Sequence, residues 1–133
     1  MQENIAVWID REPTLDEEVG ALDDEDTFEM ANLSEDQTGV PGIIFISTQM
    51  GSHGPRVKYY LKTGPGQDSF SVAIASDPRV LGNSLPDRDL ARVAPRVMDW
   101  VRLNHEPLTR FWWEGRFWTD PEVTAFKAGL TKV

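Results

Sequence analysis

The chain has 133 residues, with 22 Asp and Glu against 13 Lys and Arg, so its formal net charge is −9. It contains no cysteine, which excludes disulfide scaffolds, Cys-ligated metal centres and thiol nucleophiles. No apolar run approaches the roughly 20 residues that span a bilayer, and the acidic N-terminus lacks a basic-then-apolar leader. We therefore expect a single-domain cytoplasmic protein that does not associate with membranes.

The negative charge is concentrated in residues 1–38, which hold thirteen acidic residues and one base, a net charge of −12. Residues 39–133 hold nine acids and twelve bases, a net charge of +3. We divide the chain accordingly into an acidic arm (1–38) and a compact α+β domain (39–133). Blocks of like charge are usually solvated. The alternatives are an arm that lies on the domain's basic face or masks it from a partner, and a mimic of nucleic-acid charge.

Within the acidic arm, short apolar runs predict two strands. Residues 5–9 are apolar and partly β-branched and predict a first strand, and residues 27–33 predict an edge strand. Between them, residues 15–22 have few apolar side chains and predict only a marginal helical turn.

Three β-rich segments follow, at 43–48, 56–62 and 69–74, joined by glycine-containing turns. They predict an antiparallel meander. In the middle strand the alternation places Val57, Tyr59 and Leu61 in the core. The opposite face of this strand is then a basic and aromatic outer face, made of Arg56, Lys58, Tyr60 and Lys62.

From Ser84 onwards the apolar residues recur with helical spacing. Ser84 predicts an N-cap, Pro95 predicts a kink near residues 91–95, and Asn104 predicts the end of this helix before Pro107 restarts it. Thr119 and Glu122 form a capping-box motif that begins a last helix. The sequence thus predicts an α+β fold, an antiparallel sheet of three to five strands with the C-terminal helices packed on one face.

Several motifs occur in a set order between residues 40 and 113. They are Val40-Pro41-Gly42, His53-Gly54-Pro55, Asn83-Ser84-Leu85-Pro86, Trp100-Val101-Arg102-Leu103-Asn104 and Leu108-Thr109-Arg110-Phe111-Trp112. This order resembles a family of small uncharacterised bacterial proteins, a domain of unknown function often found near toxin–antitoxin-like gene pairs. The resemblance implies a small strand–hairpin–helix domain and a role in a two-gene unit, and it brings no biochemical activity with it.

The chain offers few groups for catalysis, because it has only two histidines. His53 lies in a turn beside Arg56 and Lys58, where a general base next to two cations fits a metal-independent RNase. The alternative is an exposed turn histidine. His105 falls at the predicted helix end, where capping is the simpler interpretation. We find no spacing typical of metal ligands, phosphate loops or serine nucleophiles, and expect no metal and no cofactor.

Two surfaces are better suited to binding. The outer face of Arg56, Lys58, Tyr60 and Lys62 has the charge and the aromatic ring that nucleic acid favours, although the net charge of −9 opposes long-range attraction to phosphate.

The second surface is an aromatic rim. Trp112 aligns with Leu108 and Phe111 and is predicted to be buried, whereas Trp113 must lie toward the flank, where Arg110 or Arg116 is able to pack on it. A large core with its rim is the simpler interpretation of these aromatic residues. A binding surface, with Trp113, Arg116 and Trp118, is the alternative.

These observations favour a non-enzymatic interaction protein over an enzyme. It would bind a protein partner or a second copy of itself through the basic hairpin face and the aromatic rim, with nucleic acid as a weaker candidate, and would belong to a toxin–antitoxin-like unit. The alternative is an RNase-like toxin that uses His53 with Arg56 and Lys58.

Overall fold

The computed structural model describes residues 30–50 and 52–133. The predicted strand at 5–9, the helical turn at 15–22 and the start of the edge strand at 27–29 lie outside these residues. The described chain forms one five-stranded antiparallel sheet in which spatial order follows sequence order. The strands are β1 (Met30–Leu33), β2 (Ile43–Ser47), β3 (Arg56–Tyr60), β4 (Ser69–Ala73) and β5 (Val80–Asn83).

The strand register places one row of large apolar residues on the same side of the sheet. Leu33 pairs with Ile44, Ile44 with Tyr59, and Tyr59 with Phe70, so one row of large side chains crosses four strands. All four side chains are buried. We call this side the first face of the sheet, and the opposite side the second face.

Three helices and a 3₁₀ turn complete the described chain: α1 (Glu35–Thr38), α2 (Asp87–Glu114), the 3₁₀ turn Gly115–Phe117, and α3 (Asp120–Ala128). Trp100, Val97 and Phe111 of α2 belong to the same buried cluster as the first face. The predicted α+β fold with C-terminal helices packed on one face of an antiparallel sheet is therefore confirmed. Within the described residues, no helix has both the length and the apolar character that crossing a bilayer demands.

The helix α2 starts and bends at places that differ from two of the predictions. Its N-cap is Pro86 rather than Ser84. Ser84 instead extends the pairing of β4 and β5, because its N–H donates to the carbonyl oxygen of Ser69 at 2.8 Å and its Oγ accepts from the Ser69 N–H at 3.0 Å.

The predicted kink at Pro95 is wrong as well, since only Asn104 departs from helical geometry, with φ −116° and ψ 16°. Pro95 and Ala91 are exposed, so solvent can satisfy the carbonyl group that the proline leaves without a donor. The break at Asn104 was predicted, and it places Pro107 in the first turn of the second helical segment, where proline is tolerated.

The last helix begins at the predicted capping box. The Thr119 N–H donates to Oε1 of Glu122 at 2.8 Å, and the Glu122 N–H donates to Oγ1 of Thr119 at 3.4 Å. The Thr119 N–H and the Thr119 hydroxyl group, which donates to the same Oε1 at 3.1 Å, hold the pKa of Glu122 below its usual range. Beyond α3 the chain returns to the domain, because the Val133 N–H donates to the carbonyl oxygen of Thr38 at 3.0 Å.

Candidate interaction surfaces

The second face of the sheet carries the side chains that the sequence assigns to an exposed basic face. The structure contradicts that exposure: Lys58 is 3% exposed and Tyr60 is 7% exposed. Both strands next to β3 are paired to it, and the residues opposite Lys58, which are Phe45 and Ser71, are buried too. This face therefore offers no open stripe of cations and aromatic rings for nucleic acid or a partner.

An apolar cluster contributes to this burial. Phe45, Met50 and Tyr60 pack together, with Ile43 against them, and they come from β2, β3 and the loop after β2. The hydroxyl group of Tyr60 donates a hydrogen bond to Oδ1 of Asn32 on β1. Tyr60 is thus a packed core side chain rather than a stacking platform.

The end of β3 also differs from the prediction. The strand stops at Tyr60, and Leu61, which the alternation assigns to the core, is 43% exposed. Lys62 is exposed in the turn that follows, as is most of the segment 61–66. Of the four residues predicted to form the outer face, only Lys62 is exposed, because Arg56 is partly buried and Lys58 and Tyr60 are buried.

The residues proposed for RNase chemistry do lie together. His53, Arg56 and Lys58 line one small cavity with Ser47 and Trp112, where β2 ends and β3 begins. The cavity has a volume of about 10 Å³, which is close to the space of a single water molecule. His53 is partly buried, and the Arg56 guanidinium donates through Nε to the carbonyl oxygen of Gly54 at 3.4 Å. A nucleotide has no room among these side chains in this arrangement.

Metal binding finds no support in the described part of the chain. Among residues 30–50 and 52–133, no three side chains of His, Cys, Asp or Glu lie close enough together to hold a metal ion.

The end of α2 presents the two adjacent tryptophans as predicted. Trp112 is buried, whereas Trp113 is 47% exposed. Phe117 in the following 3₁₀ turn is 74% exposed, and the guanidinium of Arg116 lies 4.9 Å from the centre of its ring. Trp113, Arg116 and Phe117 are thus exposed within a five-residue stretch of the chain, and we call these three residues the aromatic surface.

Trp118 does not belong to this surface in the way the sequence predicts. It is partly buried, and its ring centre lies 5.9 Å from that of Phe111 and 5.6 Å from that of Phe126. Arg110 lies over Trp118 at 5.9 Å, whereas the sequence suggested that Arg110 or Arg116 covers Trp113. The capping box brings α3 back against α2, and Phe126 thereby reaches Trp118 and covers it.

A shallow groove runs between α2 and α3, and Trp118, the residue that follows Phe117 in the chain, lines part of it. It has a volume of about 410 Å³, and its lining includes Pro107, Arg110, Trp118, Glu122 and Phe126. The groove has apolar walls with one cation and one carboxylate, which is the usual character of a site for an aromatic or aliphatic side chain. No local sequence pattern predicts this groove, since it forms only when α3 packs against α2.

Comparison with known proteins provides no relative: no protein-family model, curated protein or solved structure matches this chain. The resemblance to the small bacterial family of unknown function therefore stays a prediction.

Proposed function

We propose that this protein is a non-enzymatic interaction module that associates through the aromatic surface, and that the bound partner is a second copy of the chain. The observation that supports the proposal is the exposure of Trp113 and Phe117 beside Arg116. Tryptophan, other aromatic residues and arginine are the residue types most enriched at protein interfaces. Exposing two large aromatic rings to water is otherwise unfavourable.

The groove between α2 and α3 supports self-association in particular. An aromatic ring such as that of Phe117 fits a groove of about 410 Å³, and the groove contains Glu122, which is a natural partner for the cation of Arg116. In a two-fold dimer the same patch occurs on both subunits, so Phe117 and the groove of one copy would each meet their complement on the other. Glu122 of the groove would pair with Arg116 of the other copy, while Arg110 in the groove lies over Trp118.

The RNase-like alternative has less support. Lys58 is buried, and the cavity that it shares with His53 and Arg56 has a volume of only about 10 Å³. An enzyme that uses these three residues would have to open this end of the sheet before it admitted a phosphodiester. The resemblance to the bacterial family extends the favoured proposal in one respect: such a module would serve as one component of a toxin–antitoxin-like pair.

The mass of the protein in solution tests self-association. We expect light scattering after size-exclusion chromatography to show a mass that rises from 15.0 kDa toward twice that value as the protein concentration increases. Phe117→Ala and Trp113→Ala should each weaken the association at least about tenfold, because aromatic hot-spot residues carry most of an interface's binding energy. Leu103→Ala is the matched control, since Leu103 is an exposed apolar residue of α2 outside the aromatic surface.

Three results would oppose the proposal. A measured mass that stays at 15.0 kDa at every protein concentration contradicts self-association. A dimer that Phe117→Ala and Leu103→Ala weaken equally contradicts the assignment to the aromatic surface. RNA cleavage by the purified protein that disappears in His53→Ala favours the enzyme instead.

A further inference from the structure

The groove between α2 and α3 contains two opposite charges. Arg110 lines it from α2, and Glu122 lines it from the first turn of α3. The ion pairs among the described residues lie within residues 89–102 of α2, so neither of these two side chains is neutralised by an ion pair in that part of the chain. The groove therefore presents one cation and one anion to a bound molecule.

Both charged groups keep the capacity to bind. The guanidinium of Arg110 lies over the ring of Trp118, 5.9 Å from its centre, and its N–H groups are able to donate to a carboxylate. One carboxylate oxygen of Glu122 accepts from the N–H of Thr119 at 2.8 Å and from its hydroxyl group at 3.1 Å. Since a carboxylate has about four lone-pair sites on its two oxygens, Glu122 is still able to accept from an ammonium group.

The rest of the groove is apolar and open enough for one ring. Pro107, Trp118 and Phe126 are partly buried in its wall, and the ring centres of Trp118 and Phe126 are 5.6 Å apart. Ala125 and Gly129 are the small residues of the lining. The volume of about 410 Å³ falls within the range of roughly 300–1,000 Å³ that is usual for small-molecule sites.

We propose that this groove binds a free aromatic α-amino acid, with its ring against Trp118 and Phe126, its carboxylate on Arg110 and its ammonium group on Glu122. A free amino acid matches the groove because it carries one charge of each sign close to an aromatic ring. It has no net charge, so the net charge of −9 on the chain does not repel it, as it would an aromatic acid without an ammonium group.

Such a ligand would also regulate the protein. Its ring would occupy the place that Phe117 of a second copy takes in the proposed dimer, so binding of the amino acid would release the two copies from each other. This regulatory role rests on the self-association proposed above, whereas the binding of the amino acid does not.

An NMR titration of Phe117→Ala with L-phenylalanine tests the binding by itself. The variant lacks the competing ring, and residue 117 is not part of the groove lining. We expect saturable shifts of amides in α2 and α3. N-acetyl-L-phenylalanine lacks the ammonium group and L-phenylalaninamide lacks the carboxylate, and each should bind at least about threefold more weakly, a modest loss because exposed charge pairs are weak. Equal affinities for the three ligands, or no binding of L-phenylalanine, would overturn the proposal.

A pair of leucine variants, made in the same Phe117→Ala chain, locates the site. Ala125→Leu puts a larger side chain into the groove, and Ala128→Leu is the matched control at an exposed position of α3 outside the groove lining. We expect Ala125→Leu to weaken the binding of L-phenylalanine at least tenfold and Ala128→Leu to leave it unchanged. Equal effects of the two leucines would place the ligand elsewhere.

A pair of methionine variants tests the carboxylate contact. Arg110→Met should weaken L-phenylalanine at least about threefold and leave L-phenylalaninamide unchanged, a selectivity that a general loss of structure would not produce. Arg88→Met, at another exposed arginine of α2, is the control and should affect neither ligand. A loss for both ligands alike in Arg110→Met would contradict the contact.

Light scattering of the natural chain tests the regulatory role. At a protein concentration that gives dimers, we expect saturating L-phenylalanine to return the mass toward 15.0 kDa. An unchanged mass, when Phe117→Ala binds the amino acid, would contradict the competition with Phe117. A natural chain that is monomeric without ligand would contradict self-association and its regulation together, while the titration of Phe117→Ala would still decide whether the groove binds the amino acid.

Discussion

Asn104 and Thr131 exchange two hydrogen bonds that fasten the C-terminal tail to the break in α2. The Thr131 N–H donates to Oδ1 of Asn104 at 2.8 Å, and Nδ2 of Asn104 donates to the carbonyl oxygen of Thr131 at 2.9 Å. Nδ2 also donates to the carbonyl oxygen of Trp100 at 2.8 Å. A single buried amide side chain therefore caps the first helical segment and holds the tail, which explains why the helix breaks at this residue.

Replacing Asn104 with alanine should destabilise the protein by about 2–3 kcal/mol. The substitution removes three hydrogen bonds, and the backbone groups that they satisfied become partly buried without partners. The measurement is the free energy of unfolding from urea denaturation. Thr131→Ala is the control, because both bonds to Asn104 use the backbone of residue 131. A loss in Thr131→Ala as large as that in Asn104→Ala would contradict this explanation.

Gly42 is a position where the fold depends on the absence of a side chain. Its φ is +101°, and a Cβ atom there would overlap with the hydroxyl group of Tyr59, which donates a hydrogen bond to the carbonyl oxygen of Pro41. We expect Gly42→Ala to lower the free energy of unfolding by at least about 2 kcal/mol, since backbone strain and steric overlap add together.

Gly66 provides the matched control for this prediction. Its φ is also positive, at +69°, but a Cβ atom there meets no other atom within 4 Å. Gly66→Ala should therefore cost only about 1 kcal/mol, the price of the left-handed backbone alone. Thermal or urea unfolding of the two variants side by side separates the two contributions, and equal losses would refute the overlap with Tyr59.

The strands of the meander were predictable because their pattern is local. A run of β-branched and aromatic residues located β2, and alternation of apolar and polar residues located β3 and β4 and identified Val57 and Tyr59 as core residues. β5 was missed because Gly82 and Asn83 are poor strand formers, and because Val80 and Leu81 are both exposed and show no alternation.

The interaction surfaces were predicted less well, for a physical reason. Alternation tells which residues share a face of a strand, and Lys58 and Tyr60 do share one, but it does not tell whether that face is covered. The same limit applies to Trp118, which is covered because Phe126 of α3 packs on it. Trp112 and Trp113 were assigned correctly, since helical spacing alone decides which of two adjacent residues faces the core.

Tyr59 should make the stability of the protein depend on alkaline pH. Burial raises the pKa of Tyr59, with Asp89 and Glu35 adding to the shift and Arg92 opposing it. The folded state then retains the phenolic proton at a pH where the unfolded chain has lost it, so stability is fully present below about pH 10 and falls as the pH rises beyond it. Urea unfolding between pH 8 and pH 11 measures this loss.

Tyr59→Phe isolates the contribution of that hydroxyl group. The variant loses the hydrogen bond to Pro41 and is expected to be less stable than the natural chain at pH 8. The stability difference between the two proteins should shrink as the pH rises above 10, because only the natural chain has a phenol to titrate at this position. A difference that stays constant between pH 8 and pH 11 would show that Tyr59 does not titrate as proposed.

The neighbouring tryptophans at the end of α2 should respond very differently to truncation. Trp112 is buried, and its Nε1–H has no hydrogen-bond partner among the described residues, so its contribution comes from packing. Trp112→Ala should cost about 3–5 kcal/mol, a large part of the stability of an ordinary domain. Trp113 is half-exposed, and Trp113→Ala should cost less than about 1 kcal/mol in the monomer.

Thermal unfolding at low protein concentration measures both variants without a contribution from self-association, since dimers dissociate on dilution. The stability of Trp113→Ala also bears on the proposed function, because weaker association of this variant implicates the aromatic surface only if its monomer remains folded. If Trp113→Ala destabilises the monomer as much as Trp112→Ala does, Trp113 belongs to the core. The exposed aromatic surface would then reduce to Phe117 and Arg116, too small a group to support a stable interface.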